Sequence, residues 1–132
     1  MKKRVALTLL LPILLWASNF SDAMRAYRQG DYKEAKQLFE LAIEEDGAMQ
    51  AQFFLGLLYL EGKGVDRDLI AARRYLAKAS ELGNARAKCY LAETYLKQKR
   101  PDRQLALKLL KEGRDAGADE CSAIAARYNI PL

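Results

Sequence analysis

The side chains that most often perform catalysis are scarce in this chain of 132 residues. It contains no histidine and two cysteines. Without an imidazole there can be no Ser-His-Asp or Cys-His nucleophile pair, no histidine acid–base group and no histidine-ligated zinc. Two cysteines are too few for a four-cysteine structural zinc site. The composition therefore predicts no metal and no cofactor.

The remaining polar side chains form no recognisable catalytic motif. The serines of the chain are Ser18, Ser21, Ser80 and Ser122. None of them begins a Ser-x-x-Lys motif, the signature of penicillin-binding enzymes. Glu93 with Glu61 or Asp119 is the best candidate for a pair of catalytic carboxylates, but solvated helix faces supply such pairs by chance. The sequence therefore favours a protein that is not an enzyme.

The first residues have the composition of a secretory signal peptide. Lys2, Lys3 and Arg4 precede an uncharged run over residues 5–17, which is too short to span a membrane as a helix. We predict a signal peptide over residues 1–17 and an exported protein that resides in the periplasm, with secretion as the alternative. The same residues allow two other interpretations. The signal peptide is cleaved after Ala23, or it is retained and contacts the membrane.

The predicted mature chain has a smaller net positive charge than the whole sequence. The whole chain has 22 Lys and Arg against 17 Asp and Glu, a formal charge of +5. Removal of the first 17 residues leaves 19 basic and 17 acidic residues, a net charge of +2. A basic loop contains Lys97, Lys99, Arg100 and Arg103 but no aromatic residue for base stacking. The sequence therefore predicts no nucleic-acid partner.

The rest of the chain repeats itself. Segments 47–82 and 83–116 align so that small and apolar positions recur 36 residues apart, with Leu55 matching Leu91 and Tyr59 matching Tyr95. We expect repeat units at about 19–46, 47–82 and 83–116 and a cap helix at 117–130. Together they form one repeat domain over residues 18–132.

Each unit has the pattern of two helices. Ala51, Leu55 and Tyr59 have the spacing of one helical face, and Gly62 ends that helix. Asp66 or Asp68 then caps a second helix. One hairpin cannot bury its own apolar face, whereas a stack of three buries a continuous core. The sequence predicts an all-α protein, a short α-solenoid of helix hairpins with a C-terminal cap helix.

These residues carry a resemblance to known repeats. The unit at 47–83 resembles the Sel1-like repeat at twelve positions: Ala51, Leu55, Gly56, Tyr59, Gly62, Gly64, Val65, Asp68, Ala72, Lys78, Ala79 and Gly83. The unit at 83–117 keeps part of the pattern, and residues 24–46 resemble a tetratricopeptide repeat. The resemblance implies a right-handed solenoid and a role as a protein-binding adaptor, with a protein or peptide partner in the cell envelope.

The resemblance also raises two alternatives. A cysteine-containing branch of Sel1-like proteins is associated with penicillin binding and β-lactamase activity, but it pairs cysteines within each hairpin. This chain has no such pair. A structural subunit of an envelope assembly is the other alternative. The oligomeric state is not predicted.

The first helices of such hairpins line the concave side of a solenoid. The helical spacing predicts a partner-binding groove there, lined by Tyr27, Phe53, Leu57, Arg86, Glu93, Lys97 and Arg127. Phe53 and Phe54 are adjacent, so we expect one to pack and the other, Phe53, to line the groove. Packing of Phe53 against the next helix is the alternative.

The two cysteines lie one unit apart. Cys89 and Cys121 are 32 residues apart on the first helix of the third unit and on the cap helix. This spacing allows a disulfide that joins the cap to the stack. Two buried free thiols are equally compatible with the sequence.

Overall fold

The computed structural model describes residues 18–132, and the predicted signal peptide at 1–17 lies outside these residues. The described part of the chain contains seven helices and no strand. They are α1 (Ser18–Gln29), α2 (Tyr32–Asp46), α3 (Ala51–Glu61), α4 (Leu69–Glu81), α5 (Ala85–Lys97), α6 (Arg103–Asp115) and α7 (Glu120–Arg127). Within this part, no helix combines the length and the apolar composition needed to cross a membrane.

The helices pack in the order of the chain. Helices α1 and α2, α3 and α4, and α5 and α6 pair as three hairpins, and each hairpin packs on the next. Helix α7 has no second helix and packs on both α5 and α6. The prediction of an all-α stack of hairpins with a C-terminal cap helix is confirmed.

Short polar side chains cap the N-terminal ends of α4, α5 and α6. Asp68 Oδ1 accepts hydrogen bonds from the N–H groups of Ile70 and Ala71, both at 3.0 Å, so Asp68 and not Asp66 caps α4. Asn84 accepts from the N–H of Ala87 at 3.2 Å, and Asp102 caps α6 in the same way. These side chains satisfy N–H groups that the first helical turn leaves without partners.

Two glycines allow the helices to approach closely. A Cβ atom on Gly56 of α3 would lie 2.6 Å from Leu76 Cγ of α4, so this contact requires a glycine. A Cβ atom on Gly113 of α6 would lie 2.5 Å from Cys121 Sγ and 3.1 Å from Cys89 Sγ. Larger residues at either position would push the helices apart.

Aromatic rings join the first hairpin to α3. Phe54 of α3 stacks on Phe39 of α2 with the ring centroids 5.2 Å apart. Tyr27 of α1 meets the edge of Phe54 at 5.5 Å, and Phe20 contacts the same two phenylalanines. These aromatic side chains form the buried interface between the first hairpin and α3.

One arginine fixes α5 against α4. The guanidinium carbon of Arg73 lies 3.9 Å from the centre of the Tyr95 ring. Arg73 Nε also donates to Thr94 Oγ1 at 3.1 Å, and its Nη2 donates to Gln98 Oε1 at 3.0 Å. A stacked guanidinium with fixed hydrogen bonds holds the orientation of α5, and α5 carries three of the predicted groove residues, Arg86, Glu93 and Lys97.

Candidate partner-binding face

The predicted groove residues lie along one side of the stack, where α1, α3, α5 and α7 are neighbours. We call this surface the inner face. Its exposed and half-buried side chains are Tyr27, Glu61, Lys63, Arg86, Tyr90, Lys97, Glu120, Arg127 and Tyr128. Contacts of α5 with α7 and the residue after it hold four of them in place: Arg86, Glu120, Arg127 and Tyr128.

Two of the predicted residues lie beneath this face. Phe53 is 2% exposed and Leu57 is 6% exposed. The ring of Tyr90 meets Phe53 at 5.7 Å, and the guanidinium carbon of Arg86 lies 4.9 Å from the Phe53 ring centre. Because α3 and α5 pack this closely, Phe53 packs against the next helix and does not line an open groove. Phe54 does not line one either, since it stacks on Phe39.

Three of the predicted residues meet at a buried carboxylate. The Glu93 side chain is 4% exposed. Its Oε1 accepts a hydrogen bond from Arg127 Nη1 at 2.9 Å and another from the Tyr128 hydroxyl at 3.1 Å. Lys97 Nζ lies 3.9 Å from the same oxygen. The structure therefore brings α7 onto α5 through one carboxylate with two cations beside it.

Sequence reasoning did not identify Tyr128 as part of this group. Its phenol donates to Glu93 and lies beside Arg127. Burial raises the pKa of Tyr128, and the negative charge of Glu93 raises it further. Arg67, in the loop after α3, acts on the same phenol and lowers its pKa.

Arg86 occupies the centre of the inner face. Its Nε donates to Glu120 Oε1 of α7, and its guanidinium covers Phe53. Glu120 was not among the predicted residues, although it lies 34 positions after Arg86, about one repeat length. A search for opposite charges one repeat apart would have found this pair.

Tyr27 marks the other end of the inner face. It is half-buried, and burial raises its pKa, with a further increase from Glu61 and a decrease from Lys63. Burial also raises the pKa of Tyr90, and Glu61 again contributes. The charge of Glu61 thus raises the pKa of a tyrosine of α1 and that of a tyrosine of α5.

The structure joins Cys89 and Cys121 in a disulfide, with their Cα atoms 4.7 Å apart. Both residues are fully buried, beside Gly113 of α6. Of the two arrangements compatible with the sequence, the structure has the one that fastens α7 to α5. The bridge supports the inner face because α7 carries Glu120 and Arg127.

Two of the three carboxylates considered for catalysis are engaged by other side chains. Glu93 is bound to Arg127 and Tyr128, and Glu61 pairs with Lys63 at 2.9 Å. Residues 18–132 contain no group of three or more His, Cys, Asp or Glu side chains suited to a metal ion.

Two cavities of about 400 Å³ lie away from the predicted groove residues. One is lined by Met49, Gln50, Ala79, Leu82, Gly83 and Asn84, and the other by Gln52, Arg74, Tyr75, Ala77, Lys78 and Glu81. The inner face itself consists of polar and aromatic side chains over the buried Phe53 and Leu57.

Comparison with known proteins agrees with this architecture. The family model described as Sel1 repeat matches three segments of the chain, residues 25–47, 50–84 and 85–117. The fold is similar to the crystal structure of a Sel1 repeat protein from Oxalobacter formigenes, with a TM-score of 0.63 and 25% sequence identity. That match covers 85% of this chain and 88% of the other. The first match includes residues 25–47, which the sequence alone related to tetratricopeptide repeats.

Proposed function

This chain belongs to the Sel1 repeat family, and from that premise we propose that it is an exported adaptor that binds a protein or peptide partner on its inner face. Sel1 repeat proteins are generally protein-interaction scaffolds, and their fold is typically non-catalytic. The proposal adds to this general role a surface, a compartment and a class of partner.

The observation that carries the proposal is the composition of the inner face. Tyr27, Tyr90 and Tyr128 are partly exposed there, together with Arg86 and Arg127. Tyrosine and arginine are the residue types most enriched at binding hot spots, because they offer apolar contact area and directional hydrogen bonds together. Arg86 is held by Phe53 and Glu120, so little side-chain freedom is lost when a partner binds.

Two features support export. Residues 1–17 have the charge and hydropathy pattern of a signal peptide, and a buried disulfide is typical of proteins that fold in an oxidising compartment. We place the mature protein in the cell envelope, in the periplasm, beginning at Ser18. Cleavage at this position keeps all of Ser18–Gln29, whereas cleavage after Ala23 would remove about half of these residues.

Site-specific photo-cross-linking tests the inner face as the binding surface. Benzoylphenylalanine replaces Tyr90 on the inner face or, as the matched control, Tyr75 on α4. Both residues are half-buried tyrosines of well-formed helices. In the producing cells we expect a discrete protein adduct from position 90 and none from position 75. An adduct from position 75 alone, or none from either position, would contradict the proposal.

Export is tested on the same protein. Cell fractionation and an intact mass of the purified chain should show an envelope protein that begins at Ser18. Its two cysteines should resist alkylation until a reductant and a denaturant are added, since both are buried in a disulfide. A cytoplasmic protein with residues 1–17 intact and alkylatable cysteines would contradict this part of the proposal.

A further inference from the structure

The ion pairs of the inner face share an orientation. In each pair the cation is more exposed than the carboxylate. The four pairs are Lys63–Glu61, Arg86–Glu120, Lys97–Glu93 and Arg127–Glu93. The difference is largest for Arg127 and Glu93, whose side chains are 61% and 4% exposed. A partner that approaches this face therefore meets cationic groups first and carboxylates behind them.

The pairs on the second helices have the opposite orientation. Four ion pairs have their carboxylate on α2, α4 or α6: Lys36–Glu40, Lys78–Glu81, Lys88–Glu112 and Arg114–Asp115. In each of them the carboxylate is more exposed than the cation, as for Asp115 at 70% against Arg114 at 39%. The remaining pair in the described residues, Arg25–Asp22 within α1, has the orientation of the inner face. Among the described residues the orientation thus follows the helix that carries the carboxylate: the cation is the more exposed partner when that helix is α1, α3, α5 or α7, and the carboxylate is when it is α2, α4 or α6.

The inner face also has more cations than carboxylates toward α7. Glu93 is a single negative charge between two cations, Lys97 and Arg127. Arg67 is exposed and close enough to Tyr128 to lower its pKa. The field of several cations over a surface attracts anionic groups and orients them as they approach.

We propose that the inner face binds an acidic segment of its protein partner, with carboxylates of that segment placed on Arg86, Lys97 and Arg127. This inference rests on the proposed function, because it names the chemistry of the partner that the inner face binds. The guanidinium groups of Arg86 and Arg127 have N–H donors left for a second acceptor, since each donates one hydrogen bond to its carboxylate. Tyr90, which contacts Phe53 as Arg86 does, supplies flat contact surface beside this cationic region.

The test uses the mature protein and an array of nine-residue peptides in three classes. All classes contain the same Ala, Leu and Tyr positions, and the variable positions hold Asp and Glu, Ser and Gln, or Lys and Arg. We expect the acidic class to bind most strongly. For its best peptide we expect the dissociation constant to rise about tenfold between 50 and 300 mM salt, since exposed charge pairs are screened. Strongest binding by the neutral or the basic class would overturn the inference.

A matched pair of variants locates the contact. Arg86→Gln/Lys97→Gln and Lys108→Gln/Lys111→Gln each remove two positive charges, the first pair from the inner face and the second from α6. We expect at least fivefold weaker binding of the acidic peptide by the first variant and a less than twofold change for the second. Equal weakening by both variants would overturn the inference, because it would reflect net charge alone.

The cross-link at position 90 separates this inference from the proposed function. If that adduct forms but no acidic peptide binds, the inner face is a binding surface of another chemistry, and the acidic partner is excluded. If neither the adduct nor peptide binding is found, the proposed function itself fails.

Discussion

The α3–α5 interface and the α5–α7 interface both hold one first helix of the stack against the next, but they do so through different interactions. Phe53 and Leu57 of α3 correspond to Cys89 and Glu93 of α5, 36 residues later in the repeat. The first two side chains form the earlier interface through apolar contacts. The second two join α7 by a disulfide and by a buried carboxylate that binds Arg127 and Tyr128.

The difference follows from what packs on each helix. Helix α5 is followed by α6 as a full hairpin, whereas α7 has eight residues and no second helix. A helix of eight residues has little stability of its own. A covalent bond and charged hydrogen bonds therefore add, at α7, to the apolar burial of Ile124, Ala125 and Ile130. The comparison also explains why the inner face is most polar near α7.

The largest effect is expected at the apolar interface. Phe53→Ala should lower the free energy of unfolding by about 4 kcal/mol, because it removes a buried ring and leaves a cavity between α3 and α5. Urea denaturation followed by circular dichroism measures this. Phe53→Leu is the matched control and should cost less than half as much. A loss below about 1 kcal/mol for Phe53→Ala would show that Phe53 is not a packed residue of this interface.

The disulfide should have the next largest effect. Cys89→Ala/Cys121→Ala should lower the free energy of unfolding by about 3 kcal/mol, because the bridge closes a loop of 32 residues and restricts the unfolded chain. The same denaturation experiment, run on both proteins without reductant, measures the difference. Unchanged stability would mean that apolar contacts alone hold α7, as they hold α5 on α3.

The buried carboxylate should contribute less. Glu93→Gln keeps the shape and an acceptor oxygen but removes the charge that Arg127 and Lys97 share. We expect a loss of about 1–2 kcal/mol, since hydrogen bonds to a charged group are stronger than those to an amide. Glu120→Gln is the control in a more exposed pair with Arg86 and should change stability by less than about 0.5 kcal/mol. Equal effects of the two substitutions would contradict a special role for the buried site.

The smallest effect is expected at Tyr128 and depends on pH. Tyr128→Phe removes one hydrogen bond to Glu93 and should cost about 1 kcal/mol at neutral pH. The folded-state pKa of Tyr128 lies above its ordinary value, chiefly through burial and then through Glu93. The contribution is therefore complete below the unfolded pKa of about 10 and is lost as pH rises through the folded value.

Denaturation midpoints of both proteins between pH 7 and pH 11 check this expectation. The gap between wild type and Tyr128→Phe should close in the alkaline range, because a phenolate cannot donate to Glu93 and is repelled by it. A gap that persists or widens toward pH 11 would show that the tyrosine acts through packing.

The sequence was sufficient for the fold because the repeat encodes it locally. Leu55, Tyr59 and Ala72 show the helical faces, Asp68 marks a helix start, and Gly56 marks a close contact with Leu76. Each of these signals depends on neighbours within one unit. They can therefore be interpreted without knowing how strongly the stack curves.

The site was harder to predict because it depends on the distance between units. Helical spacing placed Phe53 and Leu57 on the concave side, but it could not show that Tyr90 and Arg86 cover Phe53. The same spacing placed Glu93, Lys97 and Arg127 on one side without showing that Glu93 is buried beneath the other two. Which partner is exposed in an ion pair is a property of tertiary packing.

The central claim is that the partner binds to the side formed by the first helices and not to the side formed by α2, α4 and α6. Hydrogen–deuterium exchange of the mature protein with and without the purified partner, identified from the adduct at position 90, tests it most directly. We predict slower exchange in α5, α7 and the loop that contains Arg67, with no change in α2, α4 and α6. Protection confined to α2, α4 and α6 would contradict it.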